Sequence, residues 1–178
     1  NKGFKIENLS YITEGNIYHL EIDTKERKIL KEYFPEYSSK LTFKDSKIKF
    51  SKSKKQQSGE LIGFIKIKDN FDRFKIKEIY NSSDKSFEIN GAFDLTNSKI
   101  IISKLNYIKK HNKKSEINFI INFALDKYFN IKKLEFLSGE NKIILQNIKL
   151  NKNFEVKDFK EIKILTYKDK EKNNDFSI

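Results

Sequence analysis

The sequence has no cysteine, no methionine and no tryptophan, and a single proline among its 178 residues. Without cysteine there is no disulfide, zinc–cysteine site or thiolate nucleophile, and cysteine usage does not distinguish cytoplasm from periplasm. The six glycines never form GxGxxG or GxxxxGK, which excludes the usual phosphate-binding loops. The two histidines, His19 and His111, are predicted in a strand and in a lysine-rich turn, so we expect no triad or two-histidine metal site.

Carboxylates are plentiful, but none is predicted to do acid–base chemistry. Asp69 with Asp72, and Glu78 with Asp84, lie in predicted turns or among lysines. No such pair is embedded in an apolar segment that would raise a carboxyl pKa, so we predict ordinary solvated carboxylates. The chain is therefore expected to be non-enzymatic, with no cofactor and no metal, and to bind or scaffold.

No stretch approaches the roughly 18 apolar residues of a membrane-spanning helix. The most apolar run, from Ile117 to Leu125, is interrupted by Asn118 and Asn122. The chain starts with Asn1 and contains no methionine, so we expect one segment, residues 1–178, of a longer protein whose targeting segment is missing.

Positive charge is in excess, with 37 Lys+Arg against 25 Asp+Glu and a formal net charge of +12. Only Arg27 and Arg73 are arginines, and the surplus of Lys, Ile, Asn and Phe is typical of an AT-rich coding sequence. The lysines are spread along the whole chain, with clusters only at 52–55 and 109–114. A site for nucleic acid or another polyanion, which needs clustered cations, is thus an alternative rather than the first expectation.

The first forty residues predict a hairpin and a helix. Short apolar runs from Phe4 to Ile12 and from Ile17 to Ile22 flank a Gly-Asn turn signal. Residues 25–34 then carry apolar side chains at helical spacing. Pro35 is expected to end this short helix near Tyr33 or Phe34.

From residue 41 onward the dominant period is two, which is typical of half-buried antiparallel strands. Turn-forming residues separate the runs at intervals close to those of an all-β protein. We predict an all-β fold, a long antiparallel meander, with residues 51–58 as a loop and residues 168–175 as an unpaired tail. Periodicity does not decide between a closed sandwich and a single sheet curled around its own apolar face. The alternating runs are Leu41/Phe43, Ile48/Phe50, Ile65/Ile67, Phe74/Ile76, Phe87/Ile89, Phe93/Leu95, Ile100/Ile102, Leu105/Tyr107, Ile117/Phe119/Ile121/Phe123, Leu134/Phe136, Ile143/Leu145, Ile148/Leu150, Phe154/Val156 and Ile162/Ile164.

One part of the chain resembles a known family. A strand leading into Gly91-x-x-Asp94-Leu95-Thr96, a Leu105-x-Tyr107-x-Lys109 step, and Ser138-Gly139 before a new strand are similar to the AsmA-like proteins of Gram-negative bacteria, particularly the YhdP branch. The resemblance is strongest over residues 87–167. We expect Asp94 and Thr96 to form a turn, because both side chains can accept bonds from nearby backbone amides.

The resemblance implies a β-groove, open like a half-pipe, that carries phospholipid between the inner and outer membranes and supports outer-membrane integrity. It also implies a periplasmic location, an inner-membrane anchor outside this sequence, and phospholipid rather than nucleic acid as the partner. A structural β-repeat of a surface protein is a further alternative. The expected groove lining, which could equally be the core of a closed sandwich, is Phe74, Ile76, Phe87, Ile89, Phe93, Leu95, Ile100, Ile102, Ile117, Phe119, Ile121, Phe123, Leu134, Phe136, Ile143, Leu145, Ile148 and Leu150.

Overall fold

The computed structural model describes residues 9–25, 28–67, 70–125 and 127–178. These ranges contain one α-helix, α1 (Lys28–Tyr33), and are otherwise dominated by β-strands, so the predicted all-β class is confirmed. The strands are β1 (Tyr11–Asp23), β2 (Lys40–Lys52), β3 (Gln56–Lys66), β4 (Phe71–Asn81), β5 (Ser86–Asp94), β6 (Ile100–Ile102), β7 (Tyr107–Lys109), β8 (Glu116–Ala124), β9 (Tyr128–Ser138), β10 (Asn141–Leu150), β11 (Val156–Asp158), β12 (Glu161–Lys168) and β13 (Glu171–Ser177).

Most strands belong to one antiparallel sheet. Its order is β1-β2-β3-β4-β5-β8-β9-β10-β12-β13, and the short β11 pairs with the end of β10. In the part of the chain that the structure describes, β1 and β13 are the sheet edges and do not pair with each other. The sheet is therefore open. Strands β6 and β7 form a separate two-stranded hairpin.

The sheet has one apolar and one charged face. Directly paired residues of antiparallel strands point to the same side, so the register assigns every strand position to a face. We call the side of β8 that carries Phe119 and Ile121 the apolar face, and the opposite side the charged face. The apolar face carries Leu20, Phe43, Ile48, Phe50, Leu61, Ile65, Phe74, Ile76, Tyr80, Phe87, Ile89, Phe93, Ile117, Phe119, Ile121, Phe123, Phe129, Ile131, Leu134, Phe136, Ile143, Leu145, Ile148, Leu150, Ile162, Ile164 and Phe176.

Two β-bulges change which residues of a strand face the apolar side. In β2 the pairing with β3 shifts between Lys44 and Lys47, and β1 stays in register with β2 through this point. In β9 the pairing with β8 shifts beside Lys132, and β10 stays in register with β9. Two neighbouring strands therefore carry an extra residue at the same position. Both strands change parity together, so both keep their apolar side chains on one face.

The strand glycines sit on the apolar face. Gly15, Gly59, Gly63 and Gly91 all have directly paired partners on that face. A methyl group at Gly63 would lie 2.7 Å from the backbone Cα of Ser46, closer than atoms pack. Missing side chains on one face let a sheet curl towards that face.

The aromatic rings show this curl. Phe43 on β2 contacts Phe74 on β4, with ring centroids 5.5 Å apart, across the space that Gly63 leaves open. The two rings lean towards each other because β3 has no side chain between them. With unpaired edges and its apolar side chains on one side, the main sheet is an open groove, or half-pipe.

Other parts of the chain cover the half-pipe at one end of its strands. We define the cap as α1 together with residues 95–111, which include the β6–β7 hairpin. Its buried residues, Leu95, Ile100 and Tyr107, form a core with Phe136 of the sheet, and Phe34, Ile67, Phe93, Ile102, Leu105, Ile117 and Ile143 pack around this core. The hydrophobic core of the described chain therefore lies between the cap and one end of the strands.

A buried lysine holds the cap. Lys109 is fully buried, and its ammonium group donates to the carbonyl oxygens of Thr96 at 2.7 Å, of Ser98 at 2.6 Å, and of Leu95. Burial lowers the pKa of Lys109, and the nearby carboxylates of Asp72 and Asp94 oppose that effect. One side chain thus satisfies three backbone carbonyls of the loop after β5.

Two acidic residues also hold the loop after β5. Asp94 accepts a bond from the Thr96 amide at 2.8 Å, which confirms the predicted turn. Asp72 is buried and accepts bonds from the Ser98 hydroxyl at 2.8 Å and the Asn97 amide at 3.1 Å. The prediction of a solvated turn carboxylate is wrong for Asp72, because the cap folds over it. Asp69 lies outside the described residues.

The predicted N-terminal hairpin is wrong. β1 runs without a break through Gly15 and Asn16, which pair with Ile48 and Lys47 of β2. Pairing with β2 along nearly the whole length of β1 outweighs a local turn preference, since strand formation depends on such non-local contacts. Residues 4–8 lie outside the described ranges.

Two segments predicted as unpaired are strands. Residues 51–58 belong to the β2–β3 hairpin, whose turn is closed by Ser53: its hydroxyl accepts a bond from the Gln56 amide at 3.2 Å. Residues 168–175 contain the last residue of β12, the following turn and most of β13. Its turn residues Asp169 and Lys170 both have positive φ, as in the tight turns that suit strand twist.

The helix ends where the sequence predicts. α1 finishes at Tyr33, two residues before Pro35, because the residue before a proline disfavours helical backbone angles. The predicted start at residue 25 is wrong, because that residue is not helical, and residues 26 and 27 lie outside the described chain. Across the described ranges, no helix combines the length and apolarity needed to cross a membrane.

Candidate functional site

The register brings most of the predicted lining residues together. All of them lie on the apolar face except Leu95, Ile100 and Ile102, which belong to the cap. These three follow the same alternation as the sheet, but β6 is three residues long and folds back over the apolar face. Phe74, Phe136 and Ile148 are on the apolar face but buried. The set thus divides into a covered part and an accessible part.

The accessible part is an apolar trough. We define the trough as the apolar face beyond the cap, towards the hairpin turns at 53–55 and 82–85. Its side chains in the centre of the sheet are partly exposed, although central positions of a closed sandwich would be buried. The trough is lined by Ile76, Tyr80, Phe87, Ile89, Phe119, Ile121, Phe123, Phe129, Ile131, Leu134, Leu145 and Leu150.

The surface area agrees with an open structure. The chain exposes 12673 Å², for a mass of 21.2 kDa. A compact globular chain of that mass exposes roughly 9,000 Å². Much of the excess is the second face of a single-layer sheet, and it distinguishes this molecule from the closed sandwich that periodicity left open.

Sequence reasoning missed three trough residues, Tyr80, Phe129 and Ile131. Phe129 and Ile131 lie beyond the β9 bulge, so they have the opposite parity to Leu134. Tyr80 is separated from Ile76 by the acidic Glu78 on the same face. A search for period-two runs excludes all three, and the same holds for Leu61, whose neighbours on the apolar face are Gly59 and Gly63. Aromatic content near the turns was the only available signal.

Aromatic rings cross the trough at its turn end. Tyr80 and Phe87 have centroids 4.8 Å apart, and Phe87 stacks on Phe123 at 5.1 Å. Phe123 continues to Phe129 at 6.1 Å, and the exposed Phe154 caps that ring edge-on at 5.6 Å. Phe154 is in a loop with positive φ and not in the predicted strand. The row presents a continuous hydrocarbon surface over four strands.

Ion pairs join lysine and glutamate side chains on the charged face. Lys49 binds Glu14 at 2.6 Å, and Lys75 binds Glu60 at 2.6 Å. Other pairs on this face are Lys40–Glu21, Lys132–Glu88 and Lys133–Glu135. The hydrogen bond from Lys75 holds the pKa of Glu60 below its usual value. Five lysines of this face are therefore each matched by a carboxylate, and the net charge of +12 remains.

One hollow in the charged face holds cations without a matching number of carboxylates. It has a volume of 670 Å³, and Arg73, Lys113 and Lys114 are among its lining residues, with Asp94 and Glu116 opposite. Ile62, Ala92 and Leu137 are also in its lining. Arrangements of this kind suit an anion with an apolar part.

The described residues hold no cluster of potential metal ligands. His19 lies beside Glu21 at 3.8 Å, whereas His111 bridges Glu36 at 3.0 Å and the carbonyl of Asn97 at 2.7 Å. The two imidazoles thus belong to separate networks. Within the described ranges, no three His, Asp or Glu side chains converge as metal ligands would.

Comparison with known proteins yields no relative. No family model matches the chain, and no curated protein or solved structure is similar to it.

Proposed function

We propose that this chain is a segment of an AsmA-like lipid-carrying protein and that its trough holds the acyl chains of phospholipid. The observation that carries the proposal is the open apolar face, where Phe119, Ile121 and their neighbours remain partly exposed. A continuous exposed apolar surface that runs over many strands marks a binding surface. Burial of each lipid methylene contributes about 0.8 kcal/mol.

The lining supports movement as well as binding. Along strands β4 to β10 the trough is built almost entirely of Ile, Leu and Phe. Such a uniform surface offers a sliding acyl chain nearly the same contact energy at each position. The headgroup would lie outside the path of the acyl chains, where polar groups and water can reach it. Ten paired strands make a path of roughly 43 Å across the sheet.

The location follows from the proposed family. The segment would work in the periplasm, anchored to the inner membrane by a part of the protein outside this sequence. It would then carry phospholipid between the inner and outer membranes, without enzymatic chemistry of its own. The resemblance over residues 87–167 supports this part of the proposal.

Lipid extraction tests the function with a matched pair of variants. Ile120 and Ile121 are adjacent on β8, both partly exposed, and point to opposite faces. The protein is purified without detergent, extracted into organic solvent and analysed by mass spectrometry. We expect stoichiometric phospholipid in the wild type and in Ile120→Asp, and at least tenfold less in Ile121→Asp, because a carboxylate in an apolar contact costs more than 1.4 kcal/mol.

The outcomes separate the alternatives. Absence of phospholipid from the folded wild type would refute the proposal. Equal loss in both variants would point to a general destabilisation instead of a lipid contact on the apolar face. Circular dichroism of both variants verifies that the sheet remains folded.

The hollow on the charged face supports a second candidate function, polyanion binding. Arg73, Lys113 and Lys114 would contact phosphates, and their replacement by Gln would weaken binding and reduce its salt dependence. The test is a titration with single-stranded nucleic acid at several salt concentrations. No binding at 50 mM salt would eliminate this candidate.

A further inference from the structure

A gap interrupts the aromatic surface near the turn end of the trough. Gly59 on β3 lies between Phe50 of β2 and Glu78 of β4 on the apolar face. A Cβ atom built at Gly59 has no other atom within 4 Å, so the space above it is open. Phe50, Tyr80 and Phe87 border a cavity of 490 Å³ at this point, which is in the size range of small-ligand sites.

A single carboxylate borders the gap. On strands β1 to β10 of the main sheet, Glu78 is the one acidic residue of the apolar face outside the contacts of the cap. It is exposed, and no described residue forms an ion pair or hydrogen bond with it. The acidic residues of the charged face, in contrast, include Glu60 and Glu88, which are paired with lysines. An unpaired carboxylate among aromatic rings is suited to a cation that comes with the ligand.

The rim of the same cavity is basic. Lys85 and Lys127 line it beside Asp84, and Asp84 already accepts bonds from the amide and hydroxyl of Ser86 at 3.1 and 2.7 Å. The lining of the cavity therefore combines the unpaired carboxylate of Glu78 with the ammonium groups of Lys85 and Lys127. A ligand with an ammonium group next to a phosphate matches both.

We propose that the gap at Gly59 binds the headgroup of an amine-bearing phospholipid, with its ammonium group at Glu78 beside the rings of Tyr80 and Phe87 and its phosphate towards Lys85 and Lys127. The proposal rests on the proposed lipid function and deepens it. The acyl chains continue from the gap along the trough. The aromatic rings contribute cation–π attraction, and the carboxylate contributes an ion pair.

Competition between two lipids tests this site. The full chain is incubated with vesicles that contain equal amounts of phosphatidylethanolamine and phosphatidylglycerol with identical acyl chains, separated from them, and extracted for mass spectrometry. Both lipids carry the phosphate, but only the first carries an amine. We expect the bound lipid to favour phosphatidylethanolamine by about fivefold to tenfold, the value of one favourable cation contact.

Three variants locate the preference. Glu78→Gln should bind the same total amount of lipid with a ratio near one. Gly59→Val, which fills the gap without a backbone clash, should also abolish the preference. Glu60→Gln removes a carboxylate from the neighbouring charged face and should keep the wild-type ratio.

The results distinguish this inference from the function on which it rests. Bound lipid with a ratio near one in the wild type, or an unchanged ratio in Glu78→Gln, would overturn the headgroup site and leave the lipid trough intact. Absence of both lipids from the wild type would overturn both proposals.

Discussion

Replacement of Lys109 by methionine tests how the cap is held on the sheet. The ammonium group of Lys109 is fully buried and serves the carbonyls of Leu95, Thr96 and Ser98. Methionine fills nearly the same volume, so the change creates little cavity, but it leaves the carbonyls of Thr96 and Ser98 without their donor. The Leu95 carbonyl keeps its bond from the Ser98 amide at 3.1 Å. Each such loss costs about 1–3 kcal/mol, and relief from burying a charge offsets part of it. We expect a net destabilisation of about 2–4 kcal/mol.

The assay is urea unfolding at neutral pH, with Lys110→Met as the control. Lys110 is exposed and adjacent in sequence, and its replacement should change the free energy of unfolding by less than about 0.5 kcal/mol. In hydrogen exchange of the Lys109→Met variant, the backbone amides of the cap should exchange faster than those of strands β4 to β10. A free energy within 0.5 kcal/mol of the wild type would refute the reasoning, because the carbonyls of Thr96 and Ser98 would then be satisfied in another way.

Three further predictions concern single residues of the sheet. Gly63→Ala should destabilise the protein by about 1–3 kcal/mol in urea unfolding, because the new methyl meets the Ser46 backbone, whereas Gly59→Ala should not; equal effects would contradict the packing at Gly63. Lys170→Gly should raise the thermal midpoint slightly, since Lys170 has a φ of 70° and glycine removes a strain of about 1 kcal/mol; a lower midpoint would argue against this turn. Hydrogen bonds from Asn90 and Lys132 hold the pKa of Glu88 below its usual value of 4.5. The contribution of the Glu88 carboxylate to the free energy of unfolding is therefore complete above pH 4.5 and is lost as pH falls through the lowered pKa. Glu88→Gln should therefore weaken the acid dependence of stability below pH 4.5, and an identical pH profile would exclude this contribution.

The alternation of side chains predicted the centre of the sheet well. Strands β8 and β9 lie in the middle of the sheet, and their runs from Ile117 to Phe123 and at Leu134 and Phe136 follow the pleat directly. The short helix was equally readable, because Pro35 limits it locally. These elements share one property: the cause of the structure lies within the element or in its immediate neighbours.

The parts that could not be predicted depend on contacts distant in sequence. The cap residues Ile100 and Ile102 read as sheet, and only their packing against Phe136 places them elsewhere. The burial of Asp72 comes from Asn97 and Ser98, some 25 residues later. The proposed headgroup site is also invisible to periodicity, since it needs a glycine and a carboxylate from two different strands.

The paired bulges of β1–β2 and β9–β10 have a consequence for how this sheet can change in length. One residue inserted into a single strand reverses its parity, and beyond that point its lysines would enter the trough while its apolar side chains would face water. Here each extra residue is carried by two adjacent strands that remain in register. Insertions and deletions in natural or engineered variants should therefore be tolerated when they occur in neighbouring strands together, and rejected when they occur alone.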